Sequence, residues 1–212
     1  MANEWVVSFA ERAFELKNEY EISTGLMAKI ESHHVFIVQN RDRWKMVASN
    51  IWESGLVGVG GKLEKGETII ECVRRECLEE LDCDVELEDS NITYLVTQHS
   101  IIEANLPAND VNPRPLVIML MERTEPGRKP YTPVFSYRGN LLRRPRPVDV
   151  SALFLGNDSV LTYLTSGPKT VEFLRQHSAQ FIERISLPEN LYLRPYGTVL
   201  AYLKLLQSLR RG

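Results

Sequence analysis

Three glutamates in one short stretch have a spacing that could serve a divalent cation. Glu76, Glu79 and Glu80 occupy positions i, i+3 and i+4, so on a helix their carboxylates project from one face. Each like-charge pair at these spacings destabilises an isolated helix by roughly 0.2–0.5 kcal/mol, whereas Mg²⁺ or Mn²⁺ binds clustered carboxylate oxygens readily. The alternative is an acidic helix face that is merely solvated, so the neighbouring residues must decide between the two.

The residues before these glutamates predict a glycine loop and then a helix. The loop carries Gly58, Gly60, Gly61 and Gly66, which permit close backbone approaches. Thr68, followed three residues later by Glu71, forms a capping box that marks the helix start. One apolar stripe follows, formed by Ile70, Val73, Cys77 and Leu81. The helix would carry the glutamates beside this stripe, and the loop would offer a backbone carbonyl as a further metal ligand.

The order of these residues resembles the Nudix box, G-x5-E-x7-R-E-U-x-E-E-x-G-U, where U is apolar. The matching positions are Gly61, Glu67, Arg75, Glu76, Cys77, Glu79, Glu80 and Cys83. Asp82 stands in place of the late glycine, which ends the helix, and Asp tolerates left-handed backbone better than most residues. The departure therefore concerns the helix terminus rather than the metal ligands.

The resemblance implies a hydrolase that cleaves a pyrophosphate bond in a nucleoside diphosphate linked to another moiety, using water activated by Mg²⁺ or Mn²⁺. The implied catalytic and metal-binding groups are Glu76, Glu79, Glu80 and the backbone carbonyl of Gly61. Glu67 and Arg75 would be supporting residues that fix the loop to the helix. A general base must accept the proton of the water, and four residues stay open for that role: Glu79, Glu103, Asp149 and His99.

Two other functions stay open beside hydrolysis. One is a nucleotide-sensing or regulatory Nudix module that binds without cleaving. Such modules typically lose box glutamates, whereas this chain keeps all of them. The other is an isomerase of a prenyl diphosphate, which shares the fold and has no support beyond the box cysteines. The substrate is open too, because the patterns typical of hydrolases of ADP-ribose, dinucleoside polyphosphates, coenzyme A and NADH are absent. Trp44, Trp52 and Tyr131 could recognise a base, although each also suits ordinary packing.

A basic stretch lies within the expected core, between residues 123 and 146. Residues 123–146 contain seven arginines and lysines and one acid. Arginine binds phosphate oxygens in a bidentate way, so Arg138, Arg143 and Arg144 are candidates to bind the substrate's phosphates. The alternative is that arginine and proline here blunt a sheet edge and keep a loop solvated. RNA binding is disfavoured because no aromatic residues alternate with the cations, although capped RNA stays open as a substrate.

The hydrophobic pattern predicts an α+β fold with a mixed sheet, and the resemblance narrows it to the Nudix α/β/α sandwich. We expect one domain, residues 1–212, with an N-terminal helix (1–22), a core (23–156) and a helical C-terminal extension (157–212) packed on it. Strands are expected at 34–39, 44–49, 91–99, 116–121, 133–137 and 152–155, the first two as a hairpin. Helices are expected at 159–165, 169–185 and 198–209.

The remaining features limit partners and location. The net charge is −3, which gives no drive toward nucleic acid or anionic membranes, and no apolar run has the length of a membrane span. Three cysteines on one stretch favour reduced thiols in a cytoplasm, and Cys72 could be reactive. The leucines at 200, 203, 206 and 209 need a partner surface, either the core or a homodimer. His33 and His34 are adjacent in a strand, so they point to opposite faces and cannot share one ion easily.

Overall fold

The computed structural model describes residues 21–97, 100–104, 106, 113–122 and 131–210. Residues 1–20 of the expected N-terminal helix lie outside the described residues, as do His99 and the first cations of the basic stretch, Arg123, Arg128 and Lys129. None of the helices in the described ranges is long and apolar enough to cross a membrane.

Strands dominate the described part of the chain. They are β1 (Ser23–Ile30), β2 (His33–Val38), β3 (Lys45–Ala48), β4 (Ile51–Val57), β5 (Val85–Glu88), β6 (Thr93–Val96), β7 (Ile101–Ala104), β8 (Val117–Glu122), β9 (Tyr131–Leu141), β10 (Ala152–Gly156), β11 (Lys169–Thr170), β12 (Gln180–Glu183) and β13 (Tyr192–Pro195). The helices are α1 (Ile69–Leu81), α2 (Asp158–Leu164), α3 (Val171–Gln176) and α4 (Gly197–Leu209), with a 3₁₀ turn at Arg41–Arg43.

These strands form one mixed sheet with the central order β11-β13-β4-β2-β1-β9-β8-β6-β7. Three neighbouring pairs are parallel: β1 with β9, β4 with β13, and β6 with β8. The long central pair β1–β9 runs from Ser23 opposite Val134 to Lys29 opposite Asn140. Off this path, β10 pairs with β2 and β12, β3 pairs with β4, and β5 pairs with β9.

Alternate residues of the central strands face two hydrophobic cores. In β2, Val35 and Ile37 contribute to one core, and Phe36 and Val38 contribute to the other. The first core includes the apolar side of α1, with Val73, Cys77 and Leu81. The second includes buried residues of α2, α3 and α4, among them Val160, Leu174 and Leu203. Helix, sheet and helices therefore form three layers, which confirms the α/β/α sandwich with a mixed sheet.

The predicted first hairpin is wrong. β3 pairs with β4, with Lys45 opposite Glu53, whereas β2 pairs with β1, β4 and β10. The physical reason is burial, because β2 is apolar on both faces and lies inside the sheet, while every residue of β3 is exposed. The strands β1, β4, β5 and β7 were not predicted, and the structure adds them.

The segment beyond Gly156 is only partly helical. Helices at 159–165 and 198–209 were predicted correctly as α2 and α4, but the helix predicted over 169–185 is wrong. α3 covers six residues of that range and ends before Ser178, whose φ of +72° turns the chain into β12. β12 then pairs with β10, and β13 pairs with β4. Hydrogen bonding to the sheet thus overrides the local helical pattern.

Helix α4 packs closely on the sheet at two glycines. A Cβ at Gly25 in β1 would lie 2.2 Å from Oγ1 of Thr198, and a Cβ at Gly58 would lie 3.1 Å from Cβ of Thr198. Only glycine allows this approach. The predicted leucine stripe is wrong in part, because Leu203 is buried while Leu200 and Leu209 are 40% and 56% exposed. The buried face of α4 contains Val199, Ala201, Tyr202, Leu203 and Leu205.

Candidate active site

The helix that carries the three glutamates begins as predicted. Oγ1 of Thr68 accepts the backbone N–H of Glu71 at 3.2 Å, and the carboxylate of Glu71 accepts the backbone N–H of Thr68 at 2.8 Å. These two bonds satisfy donors that the first helical turn leaves unpaired. Cys72, Val73, Cys77 and Leu81 are buried, so packing fixes the rotation of α1 and directs the glutamates away from the core.

Asp82 ends this helix in the left-handed conformation, with φ 48° and ψ 43°, and its N–H donates to the carbonyl of Leu78 at 3.0 Å. It thereby replaces glycine in the backbone role expected of that position. The Asp82 carboxylate accepts from Arg143 at 3.1 Å and from Nε of Arg146 at 3.0 Å. The hydrogen bond from Arg146 is the main cause that lowers the pKa of Asp82, and Arg143 lowers it further. The aspartate therefore binds the basic segment to the helix end, which glycine could not do.

Arg75 connects the glycine loop to the helix through all three of its nitrogens. Nε and Nη2 bind the two carboxylate oxygens of Glu67 at 2.9 and 3.2 Å, and Nη2 also donates to the carbonyl of Lys62 at 3.1 Å. Nη1 donates to Glu76 at 2.8 Å and to Glu79 at 3.0 Å. The hydrogen bond from Arg75 is the main cause that lowers the pKa of Glu67. This arrangement matches the supporting role expected of the pair.

Gly61 lies directly against the carboxylate of Glu76. A Cβ at Gly61 would lie 2.1 Å from Oε1 and 2.8 Å from Oε2 of Glu76, so only glycine leaves room for that side chain. The Gly61 carbonyl accepts the backbone N–H of Thr24 at 2.8 Å. A carbonyl oxygen has two lone pairs, and the second receives only a long 3.5 Å contact from Oγ1 of Thr24, so it can still bind a metal ion. Burial raises the pKa of Glu76, and Arg75 opposes that effect.

Glu80 is the most enclosed of the three glutamates. Its Oε2 accepts the backbone N–H of Gly60 at 3.0 Å. Burial is the main cause that raises the pKa of Glu80 to about 8, and the negative charges of Glu76 and Asp149 raise it further. Arg43 acts in the opposite direction. Burial favours the neutral form of this carboxyl, and a nearby cation would favour its ionised form.

A cavity of about 390 Å³ opens above Glu80. Its polar wall includes Glu80, Asp149, Arg43, Lys62, Gln39 and Asn40. The loop glycines at 58, 60 and 61 form part of its floor, and Tyr196, Gly197 and Thr198 line it from the start of α4. The cavity therefore combines the box helix, the glycine loop and a segment more than a hundred residues further along the chain.

Of the other predicted site residues that the structure describes, only Asp149 lines the cavity. Of the four candidate bases, Asp149 lines the cavity, Glu79 has a side chain that is 57% exposed, Glu103 is exposed on β7, and His99 lies outside the described residues. The three candidate phosphate ligands are not among the described residues that line the cavity. Arg138 lies 3.2 Å from Glu88, Arg143 binds Asp82, and Arg144 is exposed.

Several cavity residues were missed by sequence reasoning. Arg43 and Lys62 are cations at the cavity, and Tyr196 is an aromatic side chain there. The signal for Lys62 was its position next to Gly61, and the signal for Tyr196 was its position between Pro195 and the start of α4. The aromatic residues that we considered for base recognition, Trp44 and Trp52 among them, are not among the described residues that line this cavity.

The cysteines and the paired histidines do not add chemistry to the site. Cys72 contacts Oγ1 of Thr24 at 3.2 Å, and burial raises its pKa to about 11, so it stays a thiol at neutral pH. The other two cysteines are also buried and free. Nε2 of His34 lies 2.8 Å from the carboxylate of Asp158, and burial lowers the pKa of His34. His34 is thus a buried structural residue with its own partner.

Mg²⁺ or Mn²⁺ would need several oxygen ligands at one place in the site. Within the described ranges, no group of three or more His, Cys, Asp or Glu side chains is drawn together as a metal cluster. Glu76 and Glu79 share Arg75, while Glu80 binds Gly60. The oxygen donors are of the hard type that Mg²⁺ and Mn²⁺ prefer. Burial is the main cause that raises the pKa values of Glu76 and Glu80, and a bound cation would favour their ionised forms, so the donor chemistry fits a hard divalent cation.

Comparison with known proteins decides the family. The NUDIX domain model matches residues 20–130, which is more than half of the chain. The chain belongs to the Nudix family. No curated protein matches the sequence. The kind of reaction is therefore that of a Nudix pyrophosphohydrolase, and hydrolases of this family generally use divalent metals and nucleotide-type substrates.

Solved structures with similar chain traces are Nudix proteins. A hydrolase of the NUDIX family from Clostridium perfringens is 12% identical with a TM-score of 0.45, and the alignment covers 67% of this chain and 84% of that one. A MutT NUDIX hydrolase from Burkholderia pseudomallei is 15% identical with a TM-score of 0.40 and coverages of 87% and 95%. A mutator MutT protein from Bacillus halodurans is 19% identical with a TM-score of 0.36 and coverages of 67% and 72%.

Proposed function

We propose that this Nudix protein cleaves the pyrophosphate bond of a nucleoside diphosphate linked to another moiety, and that Glu76, Glu79, Glu80 and the Gly61 carbonyl hold Mg²⁺ or Mn²⁺. The observation that carries the proposal is the Glu80 carboxylate, which faces a cavity of about 390 Å³ from within an intact box. When bound, the metal would neutralise phosphate charge and lower the pKa of the attacking water.

Arg75 would position two of these ligands. Its Nη1 lies 2.8 Å from Glu76 and 3.0 Å from Glu79, and its other nitrogens are bound to Glu67 and to the Lys62 carbonyl. The guanidinium therefore holds both carboxylates in place beside the loop. A residue in this role acts through the ligands and does not touch the substrate.

Arg43 and Lys62 are the cations best placed to bind the substrate's phosphates, because both line the cavity beside Glu80. The Lys62 ammonium is bound to Glu21 at 3.3 Å in an ion pair whose side chains are 63% and 46% exposed. Such an exposed pair is worth little, so a phosphate can replace Glu21 at low cost. Arg138 and Arg143 already bind carboxylates, which makes them weaker candidates than the sequence suggested.

Asp149 is our candidate for the general base. It shares the cavity with Glu80 and is close enough for its charge to raise the pKa of that residue. Its backbone carbonyl accepts the side-chain amide of Asn40 at 2.7 Å, which fixes the loop that carries it. A carboxylate beside the ligands could accept the proton of the attacking water.

The test is product release from a substrate panel with Mg²⁺ and then with Mn²⁺. The panel spans dNTPs, ADP-ribose, other nucleotide sugars, NADH, coenzyme A, dinucleoside polyphosphates and capped RNA. We expect cleavage of at least one compound by the wild type. Glu80→Gln should abolish it, and Asp149→Asn should lower kcat by about 10²–10⁴-fold. Glu86→Gln, an exposed glutamate on β5, is the matched control and should cleave normally.

The opposite result would identify a binding module. If nucleotides raise the melting temperature but no compound of the panel is cleaved with either metal, the catalytic proposal is wrong. If cleavage occurs and survives Glu80→Gln in a folded protein, the assignment of Glu80 is wrong. A homodimer and a cytoplasmic location stay predictions, and the oligomer is measured by light scattering on the same preparation.

A further inference from the structure

A second cavity of about 190 Å³ lies beside the one above Glu80. Its walls are mostly apolar and include Val96, Met119, Met121, Tyr196 and Leu200, with Lys204 as a charged member. Met119, Met121, Tyr196 and Gly197 line both cavities. A ligand can therefore extend from the cavity above Glu80 into the apolar one along a continuous protein surface.

The size and chemistry of this second cavity limit what it can bind. Its volume is below the roughly 300–1,000 Å³ of sites that hold a whole drug-sized ligand, so it suits one compact moiety. The sulfur side chains of Met119 and Met121 interact favourably with aromatic rings. The Tyr196 ring, which is 53% exposed, offers a stacking surface at the boundary of the two cavities. Lys204 donates hydrogen bonds only, so it favours a ring that carries acceptors.

Tyr196 is held in place before any ligand binds. Its backbone N–H donates to the carbonyl of Leu56 at 3.0 Å, and Pro195 pairs with Leu56 in the parallel β13–β4 ladder. Immediately after it, Thr198 packs against Gly25 and Gly58. The ring therefore stands on a rigid junction between strand and helix, which reduces the ordering cost of binding.

We propose that the apolar cavity binds the nucleobase of the substrate, with Tyr196 stacking on the ring and Lys204 binding an acceptor at its edge. The inference rests on the proposed function, because it assumes that the phosphates lie beside Glu80. It adds that the segment after β13 selects the substrate, and that the second moiety of the substrate lies outside this cavity.

The experiment measures binding rather than turnover, using the full-length Glu80→Gln protein as the background. Calorimetric titrations compare nucleoside 5′-diphosphates, inorganic pyrophosphate and geranyl diphosphate. Adding Tyr196→Ala should weaken nucleoside diphosphate binding by about tenfold or more and leave pyrophosphate binding unchanged, while Tyr196→Phe should retain the affinity. Leu200→Ala should weaken nucleotide binding, whereas Leu209→Ala, a similarly exposed leucine on the same helix, should not.

Each result separates the two proposals. If the wild type cleaves nucleotides but Tyr196→Ala and Leu200→Ala bind them as the background does, the nucleobase assignment is wrong and the proposed function stands. If the wild type cleaves nothing but these variants lose nucleotide affinity, the assignment stands and the proposed function fails. Tighter binding of geranyl diphosphate than of any nucleoside diphosphate overturns the assignment in favour of an apolar chain.

Discussion

Alanine substitution at the adjacent glycines 60 and 61 should have two different effects. At Gly60 it should lower stability, and at Gly61 it should lower turnover in a folded protein. A Cβ at Gly60 would lie 2.2 Å from the backbone oxygen of Thr24, and Gly60 has a φ of +149°. Strained backbone of this kind costs about 1–3 kcal/mol, and overpacking adds about 1–3 kcal/mol. The Thr24 oxygen belongs to the backbone of β1, so it cannot move aside to make room for the new Cβ. Gly60→Ala should therefore lower the free energy of unfolding by about 2–6 kcal/mol.

At Gly61 the clash is with a side chain instead. The new Cβ would lie 2.1 Å from Oε1 of Glu76 and would push that carboxylate away from the loop. Moving a side chain off its rotamer costs about 0.5–1.5 kcal/mol, so Gly61→Ala should stay folded. Misplacing a catalytic group by about 1 Å can cost about 100-fold in rate, and we expect a loss of that order in metal-dependent turnover.

The assay pairs thermal unfolding with turnover and Mn²⁺ titration for both variants. Gly66→Ala is the control, because Gly66 has a φ of +87° with no atom within 4 Å of a new Cβ, so it reports backbone strain alone. For a chain of this size, 1 kcal/mol shifts Tm by about 2–4 °C. Equal loss of stability at 60 and 61, or wild-type turnover in folded Gly61→Ala, would refute the reasoning.

Three further predictions concern the residues around the site. Arg75→Lys removes the bidentate contact and should lower metal affinity by about 10–100-fold; an unchanged Mn²⁺ titration would contradict this. We expect high salt to lower the Tm of the wild type by screening the ion pair of Asp82 with Arg143. Asp82→Asn and Asp82→Gly should both lose this salt dependence, with the glycine variant the more stable because it relieves the positive φ. For His34, whose pKa is lowered mainly by burial, the unfolded chain takes up a proton near pH 6.5 while the folded one does not. The free energy of unfolding should therefore fall from about pH 6.5 downward, by up to about 1.4 kcal/mol per pH unit, and His34→Gln should flatten that slope between pH 5.5 and 7.5 in urea titrations.

The box helix could be predicted from sequence because its determinants are local. Thr68 and Glu71 cap it, the apolar stripe orients it, and the glutamates follow from the same periodicity. The end of the helix was also predictable, since Asp82 accepts the left-handed conformation. What the local pattern could not show was that the Asp82 carboxylate recruits Arg143 and Arg146. Arg143 was therefore taken as a candidate to bind phosphate.

The remaining errors come from contacts between distant segments. The apolar-turn-apolar pattern of residues 34–49 led us to pair the wrong strands, because such a pattern does not specify which neighbour a buried strand selects. β12 was predicted as helix since its pairing with β10 depends on residues about thirty positions earlier. Tyr196 was missed for the same reason, as only the β4–β13 ladder brings it to the box.

The late position of β13 has a consequence for synthesis. Arg194 binds Glu53 at 2.7 Å across 141 positions of sequence, so the edge of β4 has no β13 partner while the chain between them is being made. At about 5–20 residues per second, that interval is on the order of ten seconds, and an unpaired strand edge invites aggregation. The box helix emerges early, but the cavity wall that Tyr196 and Thr198 form is translated more than a hundred residues later. The proposed metal ligands of α1 are therefore synthesised more than a hundred residues before Tyr196, which we propose stacks on the nucleobase.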